Sequence, residues 1–133
     1  MLRVEVWVRR RRRLARGPGA AARARREVHL LADQALLLGH AVSRRSEDDA
    51  ALVTSELVSA AGGGCVLELT VSPDGLDILV SGVRPPGPPR GGSRPYVVWW
   101  DLVSRVARDT TVCRNPACDA TVRVRIGLGS LTG

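Results

Sequence analysis

Apolar residues recur along this chain with two different periods. Leu2, Val4, Val6 and Val8 alternate with Arg3, Glu5 and Trp7, which predicts a half-buried strand over residues 1–8. From Ala21 to Leu38 the spacing changes: Val28, Leu31, Ala32, Ala35 and Leu38 form a stripe of helical period, with Gly39 placed to cap it. Ala50, Val53, Leu57 and Ala60 mark a second helix. Alternation then returns. Leu67, Leu69 and Val71 point one way, Glu68 and Thr70 the other, and Leu76, Ile78 and Val80 continue as a returning strand. Over residues 96–108, Tyr96 to Trp100 alone suit a strand, but Trp99, Leu102, Val103 and Val106 fit a helical stripe. Residues 109–114 and 120–128 read as a last hairpin, with Val122, Val124 and Ile126 alternating with Arg123 and Arg125.

The punctuation agrees with these elements. Gly17-Pro18-Gly19 breaks the chain before the first helix. Ser46-Glu47-Asp48-Asp49 reads as a helix start, because a serine oxygen can accept free N–H groups and acids suit the positive end of the dipole. Gly62-Gly63-Gly64 is expected to stop that helix. Ser72-Pro73-Asp74-Gly75 has proline and glycine where a β-turn wants them. Residues 83–95, VRPPGPPRGGSRP, form a proline- and glycine-rich loop. Asn115-Pro116 is the expected second hairpin turn, and residues 129–133 should fray.

The 133 residues suit one domain with a real core. Phe is absent and Tyr occurs once, so that core must be Val, Leu and Ala with three Trp. Every one of the 20 basic residues is Arg, and the net charge of +7 favours an acidic partner or nucleic acid. Arg9 to Arg13 is expected to follow the first strand as a solvated run that blunts a sheet edge; the sharper reading is contact with phosphates or an acidic protein. No aromatic residue interleaves with this run, and no helix-turn-helix or zinc-finger pattern is present, so nucleic acid is not the favoured partner. No apolar run approaches a membrane span and no secretory segment opens the chain, which predicts a cytoplasmic protein. His29 and His40 lack ligands at metal spacing. Cys65, Cys113 and Cys118 are expected to be reduced thiols, with a bond between Cys113 and Cys118 the alternative.

The segment Ser55-Glu56-Leu57-Val58-Ser59-Ala60-Ala61 resembles the S-E-L-V-T-N-A segment of actinobacterial anti-sigma-factor serine kinases, members of the GHKL (Bergerat-fold) ATPases that include histidine-kinase ATP domains. The resemblance runs over about residues 20–128. It implies an α/β (α+β) two-layer sandwich, with a mixed, mostly antiparallel sheet covered by helices on one face. Residues 1–19 would be an N-terminal strand plus the basic run, and residues 83–95 a lid loop. In such kinases the glutamate acts as a base or orients water, and the asparagine four residues later helps hold magnesium. Glu56 matches the first, but Ala60 stands where the second should be, and a methyl group cannot ligate a hard cation. The family's V-S-D, whose aspartate accepts from the adenine amino group, is here Val80-Ser81-Gly82. Its second glycine motif is reduced to Gly91-Gly92-Ser93-Arg94-Pro95, with proline where an N–H donor is wanted.

Losing two charge-assisted contacts would cost about 3–6 kcal/mol if they add. A micromolar site is worth about 8 kcal/mol, so what remains would be roughly millimolar or weaker. The resemblance therefore implies a pseudokinase. It would need no cofactor and would act by binding a sigma factor, an anti-sigma antagonist or a DNA-binding regulator, with homodimerisation implied by active relatives. Glu56, Ala60, Gly82, Gly91 and Gly92 would be its vestigial pocket, and Trp99, Trp100, Arg123 and Arg125 its partner contacts. The alternative is a working Mg·ATP-dependent serine/threonine kinase in which Asp77, Glu68 or a backbone carbonyl supplies the lost contacts. A second alternative is a nucleic-acid binder using Arg9 to Arg13 and the Arg123/Arg125 stripe.

Overall fold

The computed structural model describes residues 5–83, 98–114 and 120–129, the side chains of residues 62, 63 and 98–100 excepted. In chain order the elements are β1 (Val8–Leu14), α1 (Ala20–Leu37), α2 (Arg44–Ser59), β2 (Ala61–Ser72), β3 (Gly75–Val83), α3 (Val98–Val106), β4 (Asp109–Arg114) and β5 (Ala120–Ile126). The strands form one sheet in the order β1-β2-β3-β5-β4. Every pairing is antiparallel, so the sheet is not mixed. The helices lie on one face, as expected for an α+β sandwich.

The core follows from strand periodicity. Leu67, Leu69 and Val71 of β2, Leu76, Ile78 and Val80 of β3, and Val122, Val124 and Ile126 of β5 all point to the helix side and are buried. Val28, Leu31 and Ala35 of α1, and Val53 and Leu57 of α2, close over them, and Val103 of α3 is also buried. No aromatic side chain belongs to the buried set among the described residues. Small β-branched and aliphatic residues fill it instead.

Three boundaries differ from the sequence expectations. The first strand begins where it was expected to end: Val8 and Leu14 are its buried residues, and the arginine run is the strand itself. Val6 is exposed, while residues 1–4 lie outside the described residues. The strand alternation continues through the arginines, so Val8, Arg10, Arg12 and Leu14 face α1 and the other three face away. The second helix starts earlier. Ser43 is its cap, its hydroxyl accepting from the Ser46 N–H at 3.1 Å, and Ser46 is a buried first-turn residue. The helix also ends at Ser59, just short of the expected glycine stop, and the three glycines belong to β2, which already begins at Ala61. The first helix ends as expected, Gly39 taking φ +87° while the His40 N–H bonds the Ala35 carbonyl.

The arginine run also has an unexpected partner. Glu27 of α1 is buried, and Arg10 donates to its Oε2 from Nε at 2.9 Å and Nη2 at 2.7 Å. Arg12 Nε lies 3.3 Å from its Oε1. The flank of the first helix is thus fastened to the sheet edge by a shared carboxylate. Glu27→Gln should lower stability by about 1–3 kcal/mol in denaturant unfolding, since both guanidinium contacts lose their charged acceptor.

The β2–β3 turn is tightly constrained as well. Gly75 has φ +140°, and a Cβ there would stand 2.6 Å from the Ile126 carbonyl oxygen of the neighbouring strand. Gly75→Ala should therefore cost about 1–3 kcal/mol, read as a lower denaturant midpoint with an unchanged slope.

Candidate functional site

The structure separates the residues singled out in the sequence onto opposite sides of the sheet. Glu56 and Ala60 lie at the C-terminal end of α2, one helical turn apart and both half-buried. Asp49 precedes Glu56 by two turns and shares its flank. This flank belongs to the helix layer. Gly82 is near the end of β3, at an irregularity where pairing with β5 shifts between Val80 and Val83. Its φ is +83°, a conformation that side-chain-bearing residues seldom adopt. Glycine at this position answers a demand of the backbone. Gly91 and Gly92 lie outside the described residues, as does the rest of the expected lid loop from residue 84 onward.

The proposed replacement ligands are elsewhere. Glu68 and Asp77 project from the helix-free face, opposite to Leu67, Leu69, Leu76 and Ile78. Asp77 is fully engaged there. Arg125 donates from Nε to Oδ1 at 2.8 Å and from Nη2 to Oδ2 at 3.2 Å, and Arg123 Nη2 donates to Oδ2 at 2.9 Å. Burial pushes the Asp77 carboxyl up, but hydrogen bonds from Arg125 and then Arg123 outweigh it and hold it below the usual range. The same bond raises Arg125 above its ordinary value. Glu68 faces Arg9, with Nε and Oε1 3.5 Å apart.

The helix-free face is therefore a charged surface with internal order. One row runs Arg9, Thr70, Asp77, Arg125, Asp109 across all five strands, and the next runs Arg11, Glu68, Leu79, Arg123, Thr111. The expected basic stripe on the last strand is a clamp: both its arginines close on one aspartate. Arg11 and Arg13 have no hydrogen bond or ion pair among the described residues, and they are the cations this face offers outward. A shallow concavity of about 250 Å³ lies among Arg9, Glu68, Asp77, Leu79 and Arg123.

A larger cleft of about 490 Å³ lies between the β1–α1 connection and the end of α2, lined by Leu14, Arg16, Pro18, Ala21, Ser59 and Cys65. It does not include Glu56, Ala60 or Gly82. Burial raises the Cys65 thiol. The two histidines have structural partners: His29 Nδ1 meets Glu47 across the two-helix layer, and His40 stacks on Trp7 with ring centroids 3.9 Å apart. Among the described residues no cluster of His, Cys, Asp or Glu could hold a metal ion. Trp99 and Trp100 start α3, while their side chains, like Cys118, lie outside the described residues; Cys113 is an exposed free thiol. No helix among the described residues is long and apolar enough to cross a membrane.

The chain matches no protein-family model, and no curated protein matches it.

Two features here escaped the sequence reading. Glu27 sits beside the apolar stripe of α1 and was not singled out from the sequence. Its signal was the even spacing of Val8, Arg10, Arg12 and Leu14, which sends two cations to the helix side. The role of Asp77 needed the strand order, because its arginines lie on a strand far away in sequence.

The depressed Asp77 carboxyl has a pH consequence. It contributes stability that is present above the ordinary carboxylate value, about 4, and is lost as pH falls through its lower folded value. Asp77→Asn should flatten this part of the acid limb in unfolding measurements between roughly pH 5 and 2, with little change in shape near neutrality.

Proposed function

We propose that this chain is a non-catalytic, kinase-like regulator that acts by binding another protein and has lost nucleotide binding. The observation that carries the reading is the facing of the carboxylates. A kinase with substituted ligands needs an acceptor for adenine and an oxygen for magnesium beside Glu56. Glu68 and Asp77 instead leave the sheet on the side away from α2, and Asp77 already accepts three hydrogen bonds. A side chain cannot cross its own sheet, so neither can replace the missing groups.

Two further points support it. Glu56 keeps a base-like residue without the partner that would hold magnesium between phosphates, and phosphoryl transfer then lacks its main charge stabilisation. At Gly82 the left-handed backbone disfavours the aspartate that selects adenine in the kinases this chain resembles. The inner sides of α1 and α2 cover the hairpin, whose Leu67, Leu69, Leu76 and Ile78 are buried beneath them. A protein partner of the sigma-factor, anti-sigma-antagonist or DNA-binding-regulator kind is what the resemblance suggests. Arg11, Arg13 and the clamped Arg123 and Arg125 offer it a cationic surface.

Titration calorimetry with Mg·ATP should show no saturable binding tighter than about millimolar. Glu56→Ala should leave capture of the native protein partner unchanged. Micromolar Mg·ATP binding that Glu56→Ala or magnesium removal abolishes would overturn the reading.

A further inference from the structure

The arginine run is also the open margin of the sheet. β1 pairs with β2 on one side, and among the described residues no strand lies on its other side. Alternate residues of a strand turn their N–H and C=O groups to opposite sides. Half of those groups on β1 therefore face outward as free donors and acceptors. Such an edge can accept another strand, and the side chains along it decide which strand is admitted. Arg9, Arg11 and Arg13 stand at alternate positions on the helix-free face. Arg11 and Arg13 have no hydrogen bond or ion pair among the described residues, and the Arg9 side chain stays 60% exposed beside Glu68. On the helix side Arg12 stays 62% exposed beside Glu27, which Arg10 holds more closely. β1 itself carries no acidic residue.

The charge selects the occupant. A second copy offering the same edge would set arginine opposite arginine, and like charges directly across a strand pair are destabilising. A phosphate chain would meet the cations but has no N–H to give to the free carbonyls of the edge. Further across the same face it would meet Glu68, Asp77 and Asp109, with no aromatic residue in those rows for a base to stack on. An acidic peptide satisfies both demands, because its backbone continues the ladder while its carboxylates reach the guanidinium groups.

We propose that the outer edge of β1 takes up an extended acidic segment of the partner protein as a sixth strand, with carboxylates at alternate positions beside Arg9, Arg11 and Arg13. In either strand direction the residue beside Arg11 shares its face, and those two places before and after it fall beside Arg9 and Arg13. A further carboxylate at the intervening position would reach Arg12 on the helix side. The inference deepens the functional reading above and rests on it for the existence of a protein partner. It does not depend on the state of the nucleotide pocket.

The test is an NMR titration of the isotope-labelled full chain with a blocked peptide of about eight residues, glutamate at every second position and valine or threonine between. Saturable binding at about 0.1 mM or tighter is expected, and none for the same peptide with lysine in place of glutamate. At saturation, alternate amides of β1 should exchange with solvent at least about tenfold more slowly, since a strand covers only the outward set. Arg11→Glu and Arg13→Glu should each weaken binding about tenfold or more, with melting close to wild type because neither residue holds an ion pair. Arg25→Glu makes the same charge change at an exposed, unpaired position of α1 and should have little effect. The proposal fails if the glutamate peptide does not bind, or if it binds without slowing alternate β1 amides. It fails equally if Arg25→Glu weakens binding as much as Arg11→Glu, or if an oligothymidylate of equal charge binds more tightly than the peptide. Peptide binding of the expected kind in a chain that also binds Mg·ATP at micromolar concentration would sustain this inference while removing the claim of a lost nucleotide site.

Discussion

The register of the β2–β3 hairpin is the constraint on which the rest depends. Successive side chains of a strand leave on opposite faces, so a slip by one residue would exchange the buried set for the charged one. The turn at Gly75 opposes such a slip. Its backbone approaches the Ile126 carbonyl too closely for any Cβ, which locks β3 to both β2 and β5. With that register, Leu67, Leu69, Leu76 and Ile78 meet the helices, while Glu68 and Asp77 meet water and arginine. The separation of core chemistry from surface chemistry is thus a matter of parity.

The same parity divides the arginine run. Five consecutive cations would repel one another if they shared one side, but alternation sends two of them toward α1. There Glu27 accepts from both, and its burial is tolerable because it is paired and hydrogen-bonded. Of the remaining three, Arg9 approaches Glu68, while Arg11 and Arg13 have no ion pair among the described residues. A segment that looks like an undivided positive tail is mostly structural. At the far side of the sheet Asp77 likewise absorbs two arginines, so the helix-free face is less cationic than a count of its arginines suggests.

The helix layer supports a different use. Its inner side is a small-residue core of Val, Leu and Ala, which lets α1 and α2 lie close over the sheet. Its flank carries Glu56 and Ala60, both half-buried. Its crest carries Leu30 and Leu37, both exposed. A protein that recognises other proteins can use both crest and sheet face at once, because they lie on opposite sides of the molecule.

Periodicity alone determined the two amphipathic helices, the β2–β3 hairpin with its turn, and the inward and outward sets on β2 and β5, since these are encoded locally; the covering of a sheet by helices was an expectation from the resemblance. Resemblance supplied the expectation of a nucleotide pocket, and Ala60 and Gly82 are the positions at which this sequence departs from that pattern. Only the tertiary structure decided which arginines are free, because Glu27 and Asp77 are far in sequence from the cations they hold. It alone moved the first strand onto Val8–Leu14, where burial of the two end residues outweighs the charge between them. It alone turned every strand pair antiparallel and put the would-be substitute ligands behind the sheet, since strand order and facing arise from pairings between distant segments.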